Sequence, residues 1–306
     1  MKVLVTGSSG FLGKSLCKHL EALGYELTRS NSNICDLRNP LSLEIYNQIK
    51  FDQIFHLAAW TQAGDFCLYH PGEQWIINQK INSNLLSWWS TKQPQAKLIS
   101  IGTSCSYDPQ LPLIEDNYLE GKPIDSLYTY AMCKRMLQIG KVALSKQFGL
   151  TYLTVVPSTL YGLEYGTKGK QMHFIFDLIR KFLEFKYFKR PIVLWGDGNQ
   201  RRELVFIEDF INNLIELDKS ENNNIFNIGA GEDYSIKEFA QILGNITGVN
   251  ISNVQFDESK YVGALSKVLD NTKIDSKLPK RFKTNLKDGL NKVVNEFEQK
   301  FLSNIN

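Results

Sequence analysis

Short apolar runs alternate with amphipathic segments through the first half of the 306-residue chain. A short apolar run bounded by turn residues is typical of a buried strand, whereas apolar positions three and four apart over a longer segment are typical of a helix. Strands are predicted at residues 2–6, 25–29, 53–58, 97–102 and 151–157, and helices at residues 11–23, 73–91 and 127–148. This alternation predicts an α/β fold with a doubly wound parallel sheet.

The alternation loosens after residue 157, and the remaining pattern predicts a second, smaller α/β lobe. Helices are predicted at residues 173–188, 208–217, 235–244 and 285–301, strands at 192–195 and 225–228, and connecting surface at 260–285. We expect the larger lobe to contain residues 1–165 with the returning segment 203–229. The smaller lobe then contains residues 166–202 and 230–306, so the two lobes are interleaved along the chain.

Composition excludes several classes of protein. The net charge of +3 is too small to indicate a nucleic-acid partner, and 43% hydrophobic residues are ample for a core. The five cysteines are scattered and form no C-x-x-C pair, which indicates neither a disulfide framework nor a metal site and favours a reducing cytoplasm. The chain begins directly with a predicted strand and lacks an apolar stretch of about 18 residues, so we expect neither a signal peptide nor a membrane span.

Three evenly spaced glycines follow the first predicted strand, in the segment TGSSGFLG at residues 6–13. Gly7 permits the tight turn from strand to helix, Gly10 lets backbone N–H groups approach a pyrophosphate, and Gly13 lets the helix pack closely on the sheet. The segment therefore predicts a Rossmann-like fold in which the larger lobe binds a dinucleotide at the N-terminus of its first helix.

The residues after the second predicted strand bear on the choice of dinucleotide. NAD sites usually carry a carboxylate there for the ribose 2′-hydroxyl, whereas an arginine accommodates the 2′-phosphate of NADP. This chain has Arg29 at that point and no carboxylate before Asp36. We therefore expect NADP(H) as the cofactor, with Arg29 near the 2′-phosphate.

A second cluster, Tyr130 and Lys134, lies in the helix predicted at residues 127–148. Residues four apart share one face of a helix, so we expect the ammonium to lower the pKa of the phenol and to suit it to proton transfer with a carbinol oxygen. Thr103 follows the strand predicted at 97–102, at the edge of a parallel sheet where ligands bind. It completes a Thr–Tyr–Lys proton relay.

Further motifs accompany these clusters along nearly the whole chain. They are Asp36-Leu37, HLAA at residues 56–59, Asn78, Tyr161-Gly162, Arg202 and NIG at residues 227–229. Together with the glycine segment and the relay, they resemble the extended short-chain dehydrogenase/reductase family, the NAD-dependent epimerases and dehydratases that modify nucleotide-activated sugars. The resemblance implies that Asp36 contacts the adenine amine and that Arg202 holds the diphosphate of a nucleotide sugar. The cofactor-binding residues it implies are Gly7, Ser9, Gly10, Phe11, Leu12, Gly13, Arg29, Asp36, Leu37, Leu57, Ala58, Ala59, Asn78, Tyr130, Lys134 and Pro157.

Four segments resemble one branch of this family, which epimerises GDP-4-keto-6-deoxymannose at C3 and C5 and then reduces C4 with NADPH. They are residues 101–107 (IGTSCSY), 113–121, 156–162 (VPSTLYG) and 194–204. The resemblance implies an epimerase acid/base pair at Cys105 and His173. It also implies substrate contacts at Thr159, Lys181, Trp195, Arg202 and Lys267. Thr159 replaces an asparagine of that branch, and residues 163–172 lack its usual run, so the sugar stays open.

The chemistry of such a pair is straightforward. Protons on carbons beside a C4 ketone are acidified by enolate formation, so a thiolate and a histidine on opposite faces can invert the configuration. We therefore predict an NADPH-dependent reductase acting at C4 of a nucleotide-linked 4-keto-6-deoxy sugar, a GDP-sugar by resemblance, with C3/C5 epimerisation by Cys105 and His173. A nucleotide-sugar 4-epimerase with tightly bound NAD and a non-catalytic NADP-binding sensor stay open as alternatives.

The helices predicted at 73–91 and 127–148 bear on the oligomeric state, because family members commonly dimerise through them. The first carries adjacent Trp88 and Trp89. Their side chains point about 100° apart and are hard to bury in one helix face. We expect a homodimer in which one of these side chains faces the partner.

Overall fold

A computed structural model describes residues 1–62, 66–166, 172–260 and 266–303. Within these residues the strands are β1 (Lys2–Thr6), β2 (Glu26–Ser30), β3 (Gln53–His56), β4 (Lys97–Ile101), β5 (Tyr152–Pro157), β6 (Thr159–Tyr161), β7 (Ile192–Trp195), β8 (Arg201–Arg202), β9 (Leu204–Phe206), β10 (Asn224–Ile228), β11 (Tyr234–Ser235) and β12 (Val254–Asp257). The helices are α1 (Phe11–Ala22), α2 (Phe66–Tyr69), α3 (Pro71–Lys92), α4 (Tyr128–Phe148), α5 (Phe174–Phe188), α6 (Ile207–Ser220), α7 (Ile236–Thr247), α8 (Thr272–Lys277) and α9 (Leu286–Ser303).

Six of the strands form one sheet in the order β10-β5-β4-β3-β1-β2, and every neighbouring pair is parallel. β1 pairs with β2 on one side and with β3 on the other, so the chain order reverses at β1. Ligands of open α/β sheets bind at the carboxyl ends of the strands beside such a reversal. The predicted Rossmann-like sheet is confirmed, and the glycine segment 6–13 lies at the reversal.

Each face of the sheet has its own core because side chains alternate between the faces of a strand. Val3 and Val5 of β1 pack with Leu16 of α1 and Phe210 of α6. Leu4, between them, packs on the opposite face with residues of α3. All of these side chains are fully buried. The continuous apolar run of β1 is therefore explained by helices on both faces.

Trp88 and Trp89 are both buried within this chain, so the expectation that one of them faces a partner is wrong. The indole Nε1 of Trp88 donates to Asn47 Oδ1 at 2.8 Å, and that of Trp89 donates to the carbonyl of Ala96 at 2.8 Å. α3 packs on the sheet, and the Phe51 ring lies 6.4 Å from that of Trp88. Two neighbouring helix positions are buried because the helix is covered on more than one side.

A third core lies among α5, α7 and α9. Phe176 and Phe182 of α5 pack with Phe239 of α7 and Leu290 of α9, and all four are fully buried. Ser235 begins α7 with a capping box, in which its hydroxyl and the Glu238 carboxylate each accept a backbone N–H of the other residue. This core packs α5, α7 and α9 against β6, β9 and the start of α1.

Several short elements have no counterpart among the sequence predictions. β6 pairs with β9, β8 with β11 and β12 with β7. Residues 260–285, expected as connecting surface, include α8 and the buried Leu269 and Ile274. That expectation is wrong for the described part of the segment, because a lone buried apolar residue leaves no periodic pattern. Across the described ranges, we find no helix whose length and hydropathy suit a membrane span.

Candidate active site

A cleft of ≈ 500 Å³ opens where β1, β2 and β3 end, at the reversal of strand order. Its lining comprises Thr6, Gly7, Ser9, Gly10, Ser30, Asn31, Ser32, Cys35, Asp36, Leu37, Arg38, Leu57, Ala58, Ala59, Trp60, Thr61, Gln62, Phe66, Ile77 and Ile81. Eight of the predicted cofactor-binding residues line it together: Gly7, Ser9, Gly10, Asp36, Leu37, Leu57, Ala58 and Ala59. The fold therefore brings residues from three separate segments to one elongated site.

The glycine segment is shaped to approach a ligand closely. Gly7 has a φ of +68°, and a Cβ on it would lie 2.8 Å from the Ala58 nitrogen. A Cβ on Gly13 would lie 2.2 Å from the Gly7 carbonyl oxygen, so only glycine lets α1 approach the turn. Gly10 is the N-cap of α1 and gives no side-chain cap to the first N–H groups. Free N–H groups at a helix N-terminus fit a pyrophosphate, so the site fits a dinucleotide.

The other eight predicted cofactor residues lie outside this lining; they are Phe11, Leu12, Gly13, Arg29, Asn78, Tyr130, Lys134 and Pro157. Phe11 contacts the rings of Tyr165 and Phe176 edge-on, with centroids 5.2 and 5.8 Å away, and so joins α1 to the smaller core. Leu12 packs against the core beneath α1 and α6. Pro157 ends β5, opposite Ile228 of β10.

Arg29 lies near the end of β2 and Arg38 follows that strand, but of the two only Arg38 is among the residues that line the cleft. Arg29 is half-exposed and pairs with Glu21 at 2.5 Å on the surface of α1, and it is not among the residues that line the cleft. Arg38 lines the cleft and grips the Asp36 carboxylate through Nε at 2.8 Å and Nη2 at 2.6 Å. These hydrogen bonds hold the pKa of Asp36 below its usual value. Sequence reasoning missed Arg38, although it follows the predicted Asp36-Leu37 directly.

Asn78 supports the cleft from behind its wall. Its side-chain amide accepts from the Trp60 nitrogen at 2.9 Å and donates to the Trp60 carbonyl at 3.0 Å, which fixes the chain after β3. Beside it, the His56 imidazole links Thr6 Oγ1 at 2.9 Å to Asn82 Oδ1 at 3.1 Å. Burial lowers the pKa of His56 to about 3, so the ring is neutral and acts as a structural connector.

The predicted relay lies at the start of α4 and the end of β4. Lys134 Nζ donates to the Ile101 carbonyl at 2.9 Å and lies 5.9 Å from the centroid of the Tyr130 ring. Burial raises the pKa of Tyr130 above its ordinary value, and a hydrogen bond with Thr103 offsets part of this rise. The expected net lowering of this pKa is wrong, because burial outweighs the groups around the phenol that would lower it. Burial also lowers the pKa of Lys134 to about 8.

A buried polar frame holds the segment after β4. The hydroxyl of Tyr118 accepts from the Thr103 nitrogen at 3.4 Å and from Ser106 Oγ at 3.2 Å. Arg135 of α4 donates to backbone carbonyls of this segment and of residues 119–121. Sequence reasoning found neither residue, because a buried tyrosine or arginine has no distinctive spacing.

Cys105 lies in the turn that follows Thr103, and Lys267 approaches it from a distant part of the chain. The Nζ of Lys267 is 3.1 Å from the Cys105 sulfur. Burial would raise the pKa of this thiol, but the charge of Lys267 and hydrogen bonds with Thr103 and Lys267 outweigh it, so the pKa lies below its ordinary value. Lys267, implied as a substrate contact, is thus a partner of the implied epimerase cysteine.

His173 is the N-cap of α5. Its backbone nitrogen donates to the Tyr165 hydroxyl at 3.1 Å, and its ring lies edge-on to the Tyr165 ring at 6.2 Å between centroids. Desolvation lowers the pKa of the imidazole. Within the described ranges, no hydrogen bond joins His173 to Cys105.

The other implied substrate residues belong to the second half of the chain. Thr159 begins β6, Trp195 ends β7 with 57% of its surface exposed, and Arg202 lies in β8. Lys181 instead is held by internal bonds, to the Val193 carbonyl at 3.0 Å and to Asp177 at 3.0 Å. It ties α5 to β7, and sequence spacing alone does not distinguish such a lysine from one that faces a phosphate.

Glu203 is a buried carboxylate that organises two loops near these residues. It accepts from the nitrogen of Gly231 at 2.8 Å and from that of Leu269 at 3.0 Å. Asn271 accepts in turn from the Gly229 nitrogen at 2.9 Å. Burial raises the pKa of Glu203. The segment that carries Lys267 is therefore held in place by the buried Glu203 carboxylate.

Comparison with known proteins bears on the chain as a whole. The profile of the NAD dependent epimerase/dehydratase family matches residues 3–229. A GDP-L-colitose synthase of Yersinia pseudotuberculosis is 28% identical over 309 residues, covering 97% of this chain and 98% of that protein. The GDP-L-fucose synthase of Escherichia coli (strain K12) is 29% identical over 295 residues, covering 89% of each.

A solved structure is similar over nearly the whole chain as well. It is a GDP-mannoheptose C4 reductase from Campylobacter jejuni with NADP bound, with a TM-score of 0.85 and 23% identity, covering 97% of this chain and 98% of that one. An identity of 23% supports a shared fold and nothing further. The family model itself spans most of the chain, including the glycine segment and the relay on α4. The chain therefore belongs to the NAD dependent epimerase/dehydratase family.

Proposed function

We propose that this enzyme reduces C4 of a nucleotide-linked 4-keto-6-deoxy sugar with NADPH and epimerises C3 and C5 of the same sugar, as a GDP-L-fucose synthase does. The observation that carries the proposal is that Thr103, Tyr130 and Lys134 meet at the end of β4. The same chain has a dinucleotide cleft built on its glycine segment. The similarity to GDP-sugar synthases over 89% or more of the chain supports a GDP-sugar as substrate.

NADP(H) is the cofactor that fits best. The related C4 reductase binds NADP. Residues 30–32, at the end of β2 and directly after it, are uncharged and line the cleft, and Arg38 brings a guanidinium to the same wall. A carboxylate in that position would favour NAD, so the lining supports NADP. When bound, the cofactor supplies the hydride for C4.

The proton at the C4 oxygen comes from Tyr130 in this proposal. Because burial keeps the pKa of the phenol high, Tyr130 is protonated at neutral pH and is a proton donor in the reductive direction. Thr103 hydrogen-bonds the same oxygen, and Lys134 holds the cofactor ribose and supports the developing phenolate. Cys105 and His173 provide the acid and base for the carbons beside the ketone. Thr159, Trp195 and Arg202 are the proposed substrate contacts, whereas Lys267 contacts the Cys105 sulfur.

The proposed division of labour follows the two lobes. Residues 1–165 with 203–229 bind the dinucleotide, and residues 166–202 with 230–306 bind the nucleotide sugar. All five cysteines are free, which supports a reducing compartment such as the cytoplasm.

The deciding experiment is NADPH oxidation with GDP-4-keto-6-deoxymannose in deuterium oxide, followed by mass spectrometry and NMR of the product. We expect turnover with deuterium at C3 and C5. Turnover without deuterium would mean that the enzyme reduces C4 and does not epimerise C3 or C5. Failure with this sugar and with CDP-, dTDP- and UDP-ketosugars would contradict the proposal. Purified protein carrying non-exchanging NAD would favour a 4-epimerase, and tight NADPH binding without any turnover would favour a sensor.

We also propose a homodimer through α3 and α4. Ile76 of α3 is 56% exposed, and Met136 and Ile139 of α4 are 41% and 45% exposed. Tyr128, Met132 and Met136 are spaced four apart and share one face of α4 with Ile139, beside an apolar groove that reaches α3. Exposed contiguous apolar surface of this kind marks an interaction site.

Light scattering at micromolar concentration tests the dimer. We expect twice the chain mass for the wild type and a single chain mass for Ile139→Glu, because a charge would be buried in the interface. Ile45→Glu, at an isoleucine elsewhere that is 57% exposed, should leave the dimer intact. A monomeric wild-type protein would contradict the proposal.

A further inference from the structure

Cys105 differs from the other cysteines in its surroundings. The other four, Cys17, Cys35, Cys67 and Cys133, are buried, and burial raises the pKa of each. Cys105 is only partly buried, and its sulfur contacts the Lys267 ammonium at 3.1 Å. A cation in direct contact stabilises a thiolate over a thiol. Cys105 is thus the cysteine of this chain whose surroundings favour the reactive form.

The contact between Lys267 and Cys105 is built into the fold. On one side of Lys267, Ser266 Oγ donates to Asp233 Oδ2 at 2.9 Å. On the other side, the Leu269 nitrogen donates to the buried Glu203 carboxylate at 3.0 Å. One residue further, the nitrogen of residue 270 donates to the carbonyl of residue 113 at 3.1 Å. The backbone that carries the lysine is therefore fixed over the turn that carries the cysteine, although the two residues are 162 positions apart.

The other titratable groups around Cys105 carry no opposite charge. They are Tyr118, Tyr130 and Cys67, and burial raises the pKa of each, so all three are neutral at neutral pH. Among the described residues, Lys267 is the cation that acts on the Cys105 sulfur. Lys267 is therefore the charged partner that favours the thiolate of Cys105, and a hydrogen bond with Thr103 adds to its effect.

We propose that Lys267 is a positioning residue that holds Cys105 as a thiolate, so that Cys105 is the base that removes a proton from carbon beside the substrate's ketone. The inference rests on the proposed function and deepens it. In the step, the C–H bond breaks, an S–H bond forms, and the electron pair passes into the enolate. The imidazolium form of His173 delivers a proton to the opposite face and restores the ketone. His173 then takes up a proton from solvent, and the Cys105 thiol releases its proton to solvent.

Alkylation of the full-length protein by iodoacetamide tests the first half of this inference without any substrate. Peptide mass spectrometry follows Cys105 from pH 5.5 to 9.5, with the other four cysteines as internal references. We expect Cys105 to react fastest, with a midpoint below the ordinary thiol value of about 8.5. Lys267→Gln should raise that midpoint by about one pH unit and slow alkylation at pH 7 by roughly tenfold. Lys267→Arg should largely restore the reactivity.

The matched control is Lys280→Gln, an exposed lysine of the same part of the chain, which should leave the profile of Cys105 unchanged. A wild-type Cys105 that titrates like an ordinary thiol would overturn the inference, as would a Lys267→Gln variant with an unchanged profile. Both results are independent of whether the sugar substrate has been identified correctly.

The second half is tested in deuterium oxide with the ketosugar. If Lys267 supports the base, Lys267→Gln lowers the deuterium incorporated per NADPH consumed by about tenfold, and alkaline pH partly restores it. If Lys267 only binds the substrate diphosphate, KM rises and the ratio of deuterium to NADPH is unchanged, which would overturn the assignment. Absence of deuterium in the wild-type product, with an alkylation profile as expected, would locate the failure in the proposed epimerisation instead.

Discussion

Replacing Tyr130 with phenylalanine is expected to lower the turnover number for ketosugar reduction by a factor on the order of 10²–10⁴. The substitution removes the hydroxyl that delivers a proton to the C4 oxygen and keeps the ring that packs at the start of α4. The cofactor cleft is lined by other residues, so NADPH affinity should change little. Steady-state kinetics and a fluorescence titration of NADPH measure the two effects separately.

Tyr128→Phe is the matched control, because Tyr128 begins the same helix two residues earlier and is 41% exposed. It loses the same hydroxyl from a position that faces away from the relay, and we expect kcat within about twofold of the wild type. Equal losses in the two variants, or full activity of Tyr130→Phe, would show that the proton donor is another group. The raised pKa of Tyr130 makes it an acid across the neutral range, so its loss should be nearly independent of pH there.

The central sheet and the relay could be predicted because each leaves a repeated or spaced pattern. β1 and β4 are short apolar runs followed by turn residues, and α4 is long enough to show helical periodicity. Tyr130 and Lys134 belong to one helix, so their spacing alone implies a shared face. Predictions of this kind need only local geometry, and the structure agrees with them in element type and within a few residues in bounds.

Partnerships across long chain distances could not be predicted. The spacing of residues does not predict that Arg29 lies outside the cleft, because Arg29 of β2 pairs with Glu21 of the neighbouring helix α1. Lys267 meets Cys105 because contacts with distant residues, among them that of the Leu269 nitrogen with Glu203, fix the segment that carries it. Such contacts arise from tertiary packing, and a single sequence contains no local trace of them.

For the two tryptophans, local helix geometry leads to a wrong prediction, namely that one indole is left exposed for a partner. Adjacent helical side chains cannot share one face. Trp88 and Trp89 are nevertheless both buried, because α3 is covered on more than one side. The apolar surface that remains exposed on α3 begins near Trp75 and Ile76, at the other end of the helix. The homodimer proposal therefore keeps the predicted helices and changes the residues that would form the contact.

Adding one methyl group at Gly13 is expected to weaken NADPH binding by roughly five- to a hundredfold. A Cβ there would lie 2.2 Å from the Gly7 carbonyl oxygen and 2.8 Å from the Ser8 Cα, and both are backbone atoms that no side-chain rotation can move away. Overpacking of this kind costs about 1–3 kcal/mol, and relief requires α1 to separate from the turn. Each 1.4 kcal/mol lost from the bound conformation corresponds to about a tenfold weaker affinity.

Gly72→Ala is the control for Gly13→Ala, because a Cβ on Gly72 meets nothing within 4 Å. Its backbone is in an ordinary helical conformation at the start of α3, where alanine is favoured over glycine, so unchanged affinity and an equal or higher Tm are expected. NADPH titration by fluorescence and thermal unfolding compare the two variants with the wild type. Wild-type affinity in Gly13→Ala would mean that the cofactor does not depend on the close approach of α1 to the turn. The pyrophosphate would then have to be held elsewhere than at the N-terminus of that helix.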